Sequence, residues 1–237
     1  MANSYFKFKQ FTIHQDKCAM KVCTDACLFG ALVANKDLTN ARCLDIGTGT
    51  GLLSLMIAQK NDIALLDAVE LNADAAGQAL ENIVASSWTE KINVYNEDIL
   101  TFNPGKKYDC IISNPPFFEN DLQSPDNNKN DAKHNTTLNL SQLLTVAEKH
   151  LTPEGVFAVL LPYQRVSYFT EEAIKAGFHL TRQMLVKQTI KHKYFRGILV
   201  FRRKKAQIQD TTLIIRDTDH NYTPEFTALL KDYYLFL

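Results

Sequence analysis

The feature that most constrains this chain is the run Asp45-Ile46-Gly47-Thr48-Gly49-Thr50-Gly51, set between a β-rich apolar stretch (ARCLDIG) and a stretch of helical periodicity (LLSLMIAQK). Glycines at alternate positions let the backbone turn sharply and come close to a ligand, and a helix starting at the turn aims its first N–H groups at that ligand. From Ala41 onward the same alternation repeats. IALLDAVEL, YDCIISN and GVFAVLLP read as strands, and ADAAGQALENIVASS and LSQLLTVAEKHL as helices. Such βαβ alternation predicts a parallel sheet with helices on both faces. Gly177 ends the helical stretch VSYFTEEAIKA, and LTRQMLVKQ and GILVFRRKK then read as two strands joined at KHKYFR, a closing hairpin that makes the sheet mixed. The expectation is an α/β fold with a mixed seven-stranded sheet and a C-terminal hairpin. It forms one domain over 1–237, with an N-terminal segment 1–40, a core 41–205, and a C-terminal strand and helix 206–237. The first forty residues carry few helical signals. Glu119 to Asn135 is polar enough to read as a long loop, and the tail NYTPEFTALLKDYYLFL as a capped helix.

A dinucleotide fingerprint would need GxGxxG, but Leu52 occupies the sixth position and an acid precedes the first glycine. That argues against an oxidoreductase. DIGTGTG instead resembles the first motif of class I methyltransferases, a Rossmann-like class whose cofactor, S-adenosylmethionine, is a sulfonium cation. Asp45 at the strand end suits that cation and its amino group. Glu70 closes the next strand about twenty residues on, where a carboxylate can hold both hydroxyls of a ribose. By resemblance to the class, Asp98 in YNEDIL bonds the adenine amino group and Ile99 packs on the ring. Gly47, Gly49 and Gly51 form the loop.

The fourth strand, YDCIIS, ends at Asn114-Pro115-Pro116-Phe117. Two prolines after a strand are an ordinary stop signal, but this position is where chemistry would occur. An exocyclic amine on a base is a poor nucleophile because its lone pair is delocalised into the ring. The Asn114 side-chain carbonyl and the Pro115 backbone carbonyl can accept its two N–H bonds and favour a pyramidal nitrogen, while Phe117 stacks on the base. Catalysis is then positioning and electrostatics, with direct methyl transfer.

With these residues in place, the chain resembles the bacterial tRNA1(Val) (adenine-37-N6)-methyltransferase family over nearly its whole length. The telling segments are FTIHQDKCAMKVCTDACLFGA, AKHNTTLNLSQLL and YTPEFTALLKDYYLFL. The resemblance implies methylation of the adenine next to the anticodon of one tRNA. It also implies that Lys21, Thr24 and Asp25 cover the methionine end of the cofactor and that His134 contacts substrate. Cys23 stands where Gly is expected, and Lys133 where Arg is expected.

Lys and Arg number 26, as do Asp and Glu, so net charge announces no partner. Its distribution does. Ala173 to Gln209 holds ten Lys or Arg and no acid, whereas Asp62 to Asp98 holds eight acids and one Lys. Lys187, Lys191, Lys193 and Arg196, interleaved with His192, Tyr194 and Phe195, are the expected RNA contacts. Cys18, Cys23, Cys27, Cys43 and Cys110 lack paired CxxC spacing, so no metal site is expected even with His14 nearby. No run reaches the roughly 18 apolar residues of a membrane span, so a cytoplasmic protein is expected, a monomer by default. Guanine-N2 methyltransferases of ribosomal RNA and glutamine methyltransferases acting on release factors resemble the same tetrapeptide and stay open as alternatives. So does a non-catalytic RNA chaperone, against which the intact tetrapeptide argues.

Overall fold

The computed structural model describes residues 3–116 and 138–237; Phe117, Lys133, His134 and the Glu119 to Asn135 loop lie outside the described residues. A small antiparallel pair, β1 (Tyr5–Lys7) and β2 (Thr12–His14), precedes helix α1 (Thr24–Ala34). The α/β core follows as β3 (Arg42–Ile46), α2 (Leu52–Lys60), β4 (Leu65–Glu70), α3 (Ala73–Val84), β5 (Ile92–Asn96) and β6 (Tyr108–Ser113). Then come α4 (Leu140–His150), β7 (Leu151–Pro162), α5 (Val166–Lys175), β8 (His179–Thr189), β9 (Tyr194–Arg202), β10 (Gln209–Arg216) and α6 (Pro224–Leu230).

The main sheet has eight strands in the order β10-β8-β9-β7-β6-β3-β4-β5. Strands β3 to β7 run parallel, β9 is antiparallel to both β7 and β8, and β10 pairs parallel with β8. The mixed sheet is as expected, but it has one strand more than the seven read from sequence. Beyond the hairpin, β8 offers an unpaired edge, and β10 covers it with its own N–H and C=O groups. Chain order reverses between β3 and β6, the switch point at which open α/β sheets bind ligands outside the strand ends.

Two apolar clusters fill the faces of the sheet. One joins α1, α2 and α6 to Ala158, Leu160, Ile198 and Val200; the other joins α4 and α5 to Phe157, Val159, Leu199 and Phe201. Consecutive residues of β7 and β9 thus serve opposite cores, as the two-residue strand period requires. Helix α1 corrects the expectation of little helix in the first forty residues. Asp25 to Ala34 are all buried, so the helix is apolar nearly all round and lacks the one-sided stripe by which helices are read from sequence. Gly177 does end α5, with a φ of +77° and the Phe178 N–H bonded back to the Ala173 carbonyl. Thr223 caps α6 by accepting the Phe226 N–H, with Pro224 following.

Candidate active site

The predicted site residues gather at the carboxyl edge of the parallel strands. The turn after β3 holds Gly49 at φ +57° and Gly51 at φ +80°, left-handed backbone that side chains rarely adopt. A Cβ on Gly49 would meet nothing within 4 Å, so that stretch of backbone is bare toward the site; one on Gly51 would only touch Ala79 and Ile83 of α3 at 3.4–3.6 Å, so its left-handed backbone rather than crowding is what calls for glycine. Asp45 lies behind the turn, wholly buried. Its Oδ2 accepts the Thr48 and Ser54 hydroxyls, each at 2.7 Å, while Oδ1 has no partner among the described residues. Burial pushes its carboxyl up to about 6, against the two hydroxyls that favour the charge.

Glu70, the last residue of β4, accepts the Gly49 N–H at 2.9 Å through Oε2 and the Asn72 N–H at 3.0 Å through Oε1. It therefore fixes the glycine turn, and each oxygen keeps a lone pair for a ligand hydroxyl. Asp98 sits two residues beyond the end of β5, in the following turn, where its Oδ1 accepts the Leu100 N–H at 2.9 Å. Ile99 beside it is buried.

Asn114 leaves the end of β6. Its Oδ1 is buried and has no hydrogen-bond partner among the described residues; its Nδ2 lies 4.0 Å from Met20 Sδ. Pro115 is buried and Pro116 exposed. Gly47, Gly49, Glu70, Asp98, Ile99 and Asn114 all line one cavity of about 910 Å³, and Lys17 to Cys23 form another wall of it. The donor set fits S-adenosylmethionine: bare glycine backbone, acids at the end of β4 and in the turn after β5, and a buried acceptor open among the described residues suit a cation carrying an adenosine.

The wall is pinned by residues that sequence reading passed over. Gln15 is buried, and its Oε1 accepts the Val22 N–H at 2.7 Å. On α3, Gln78 accepts the Lys17 N–H at 3.0 Å, and Asn82 donates to the carbonyls of His14 and Thr50, both at 2.9 Å. Asn82 so joins wall, helix and glycine turn. The available signal was two amides one helical turn apart on the otherwise apolar face of α3.

Of the three residues expected at the methionine end of the cofactor, two, Thr24 and Asp25, do not line the cavity. Lys21 lines the cavity but is exposed, its ammonium bonded to the Gln15 carbonyl. Thr24 bonds the Tyr234 hydroxyl, and Asp25 is buried with its Oδ2 2.6 Å from Arg196 Nε. Thr24 and Asp25 therefore anchor the foot of the wall from α1. Cys23 occupies extended backbone at φ −129°, which any residue adopts, so its departure from Gly costs no strain.

The methyltransferase small domain family matches residues 25–191. A tRNA1(Val) (adenine(37)-N6)-methyltransferase of Dyadobacter fermentans is 45% identical over 98% of each chain, and one of Citrobacter koseri is 41% identical over 98% of this chain and 95% of its own. This chain belongs to that family. A crystal structure of a predicted O-methyltransferase from Agrobacterium tumefaciens, 18% identical, superposes with a TM-score of 0.66 over 88% of this chain and 96% of its own, a likeness of fold. The chain is thus an S-adenosylmethionine-dependent methyltransferase with a Rossmann-like sheet.

In this methyltransferase the basic hairpin projects from the carboxyl edge of the parallel strands. Pro162, at the end of β7, pairs with Arg196 near the start of β9, and Lys187 pairs with Tyr194, so the turn between Thr189 and Tyr194 runs past the sheet. Ile190, Lys191, His192 and Lys193 are exposed there. The Thr189 hydroxyl holds the turn, 2.7 Å from His192 Nδ1 and 3.3 Å from the Lys191 N–H. Arg196, expected on RNA, instead closes the ion pair to Asp25, because its position in β9 faces α1 rather than solvent. Among the described residues no group of His, Cys, Asp or Glu is arranged to hold a metal, and no helix is long and apolar enough to cross a membrane.

Proposed function

We propose that the enzyme methylates N6 of adenine 37 in tRNA1(Val), the base beside the anticodon, in the cytoplasm. The observation that carries this reading is Asn114 Oδ1, a buried acceptor with no partner among the described residues, at a cavity suited to a sulfonium cofactor. An unsatisfied buried acceptor costs about 1–3 kcal/mol, which a substrate N–H would relieve. The names of the full-length relatives support the choice of base and RNA.

When bound, S-adenosylmethionine supplies an electrophilic methyl group. The chain's own residues do the rest. Asn114 Oδ1 accepts one N6–H and the Pro115 carbonyl the other, which localises the nitrogen lone pair and turns it toward the methyl. The proline ring fixes φ and so the direction of that carbonyl. Phe117 stacks on the base and His134 adds a contact to the RNA. Once methylated, the nitrogen is acidic enough to release its extra proton to water, so no strong base is required. Lys187, Lys191, Lys193 and Tyr194 take the flanking phosphates and bases, with Arg196 setting the hairpin from behind.

The test is incubation with labelled S-adenosylmethionine and tRNA lacking its own modifications, followed by nucleoside mass spectrometry, for the enzyme and for Asn114→Ala. N6-methyladenosine at position 37 that disappears in the variant is expected. N2-methylguanosine on ribosomal RNA, or methylglutamine on a release factor, would overturn the substrate reading.

A further inference from the structure

Tyr163 follows Pro162 directly, at the carboxyl edge of the sheet beside the root of the basic hairpin. Ser113 pairs with Val159, so Asn114 stands level with Leu160 on the neighbouring strand, and Tyr163 is three residues further along. With a rise of about 3.3 Å per residue and about 4.8 Å between strands, the two backbones lie on the order of 10 Å apart. The Tyr163 ring centre is 5.2 Å from that of Tyr194, tilted by 40°, and the Lys187 ammonium lies 4.6 Å from the centre of the Tyr194 ring. Tyr194 is in turn steadied by its hydroxyl, 3.2 Å from Thr212 Oγ1. Yet Tyr163 keeps 40% of its surface exposed.

A large aromatic side chain at an edge, backed by a second ring and a cation but not buried, presents a face on which an unstacked nucleobase can stack. Proteins read single-stranded loops by stacking splayed bases on aromatic rings, and every base has a face to offer. The lysine behind the pair adds attraction to the ring face and places positive charge where a backbone phosphate would pass. The spacing from Asn114 suits a base adjoining the target rather than the target itself.

We infer that Tyr163, backed by Tyr194 and Lys187, is a stacking platform for the nucleotide that flanks the methylated adenine; this rests on the tRNA reading above. Phe117 and Asn114 would serve the target base, and Tyr163 its neighbour, so the loop is held splayed across the edge of the sheet.

The test uses the full enzyme and an anticodon stem-loop carrying 2-aminopurine at the position next to the target, one substrate for each side. Quenching of 2-aminopurine on binding is expected with the wild-type enzyme and with Tyr163→Phe, and its loss with Tyr163→Ala. The KM for tRNA should rise about 5- to 150-fold in Tyr163→Ala, the worth of one stacked base, with kcat and cofactor affinity within about 3-fold. A ring that only propped the hairpin would leave quenching intact in Tyr163→Ala, and that result overturns the proposal. So does a Tyr163→Phe enzyme as impaired as Tyr163→Ala. Wild-type enzyme that binds the stem-loop but leaves its adenine unmethylated, in full tRNA as well, would instead sink the substrate reading on which the platform depends.

Discussion

Asp45 makes a prediction that needs no substrate. Its carboxyl is wholly buried, and that burial raises its pKa from 3.8 to about 6. A folded state that holds the proton more tightly than the unfolded chain is favoured at low pH, and loses that advantage as pH rises through the window from about 4 to about 6. The span is roughly 2 pH units at 1.36 kcal/mol each, about 3 kcal/mol in total. In Asp45→Asn the group cannot ionise, and the amide oxygen can still accept the Thr48 and Ser54 hydroxyls. The new NH2 takes the place of the unpartnered Oδ1, which adds a penalty that does not vary with pH. The stability of Asp45→Asn relative to wild type should therefore grow by about 2–3 kcal/mol between pH 4 and pH 7, or about 4–12 °C in melting temperature for a chain of this size. Thermal melts of the two cofactor-free proteins across that range read the difference directly, and other titrating groups cancel. A difference that stays flat within about 0.5 kcal/mol would refute the buried-acid reasoning. A bound cation favours the ionised form, so calorimetry should show cofactor affinity of the wild type rising as pH passes about 6 and that of the variant holding steady.

Glu70→Gln removes the charge and one of the two acceptors that hold Gly49 and Asn72, so cofactor affinity by calorimetry should fall about 10- to 100-fold; an unchanged Kd would remove Glu70 from the cofactor site. Gly51→Ala forces a side chain into φ +80° against α3 and should cost about 1–2 kcal/mol in urea unfolding, and an unshifted midpoint would count against the left-handed turn. Arg196→Met and Asp25→Asn should each destabilise while their double variant costs less than the sum, since Arg196→Met takes the cation from the buried Asp25 carboxylate and Asp25→Asn takes the opposite charge from Arg196; strict additivity would mean the pair is not coupled. Lys191→Glu with Lys193→Glu should weaken tRNA binding and flatten its salt dependence by about two units of slope or more, leaving cofactor affinity alone. Unchanged tRNA affinity would end the role given to the hairpin.

Much of the site was legible because its signals are local. The glycines of DIGTGTG mark left-handed backbone whatever surrounds them, and a strand followed by Asn-Pro-Pro ends where it does because proline cannot donate to a ladder. Glu70 and Asn114 close strands whose apolar runs are readable one residue at a time. Helix α1 was not legible, since total burial erases the period that reveals a helix. Nor was the exact end of β5 legible, two residues before Asp98, because strand ends are set by pairing with β4 rather than by composition.

The sequence by itself determined the alternation of strands and helices, the glycine turn, the acids that follow it and the family, all of which depend on residue order and short-range backbone preference. Tertiary structure alone decided which charges meet. It took Asp25 and Arg196, 171 positions apart and each assigned to a ligand, and paired them with each other. It brought Gln78 and Asn82 under the cavity wall, turned Asp45 inward, and set Tyr163 against Tyr194 at the carboxyl edge of the sheet. The physical reason is that a side chain's partner is fixed by the register of strands and the packing of helices distant in sequence, and burial then sets the cost of leaving any polar group without one.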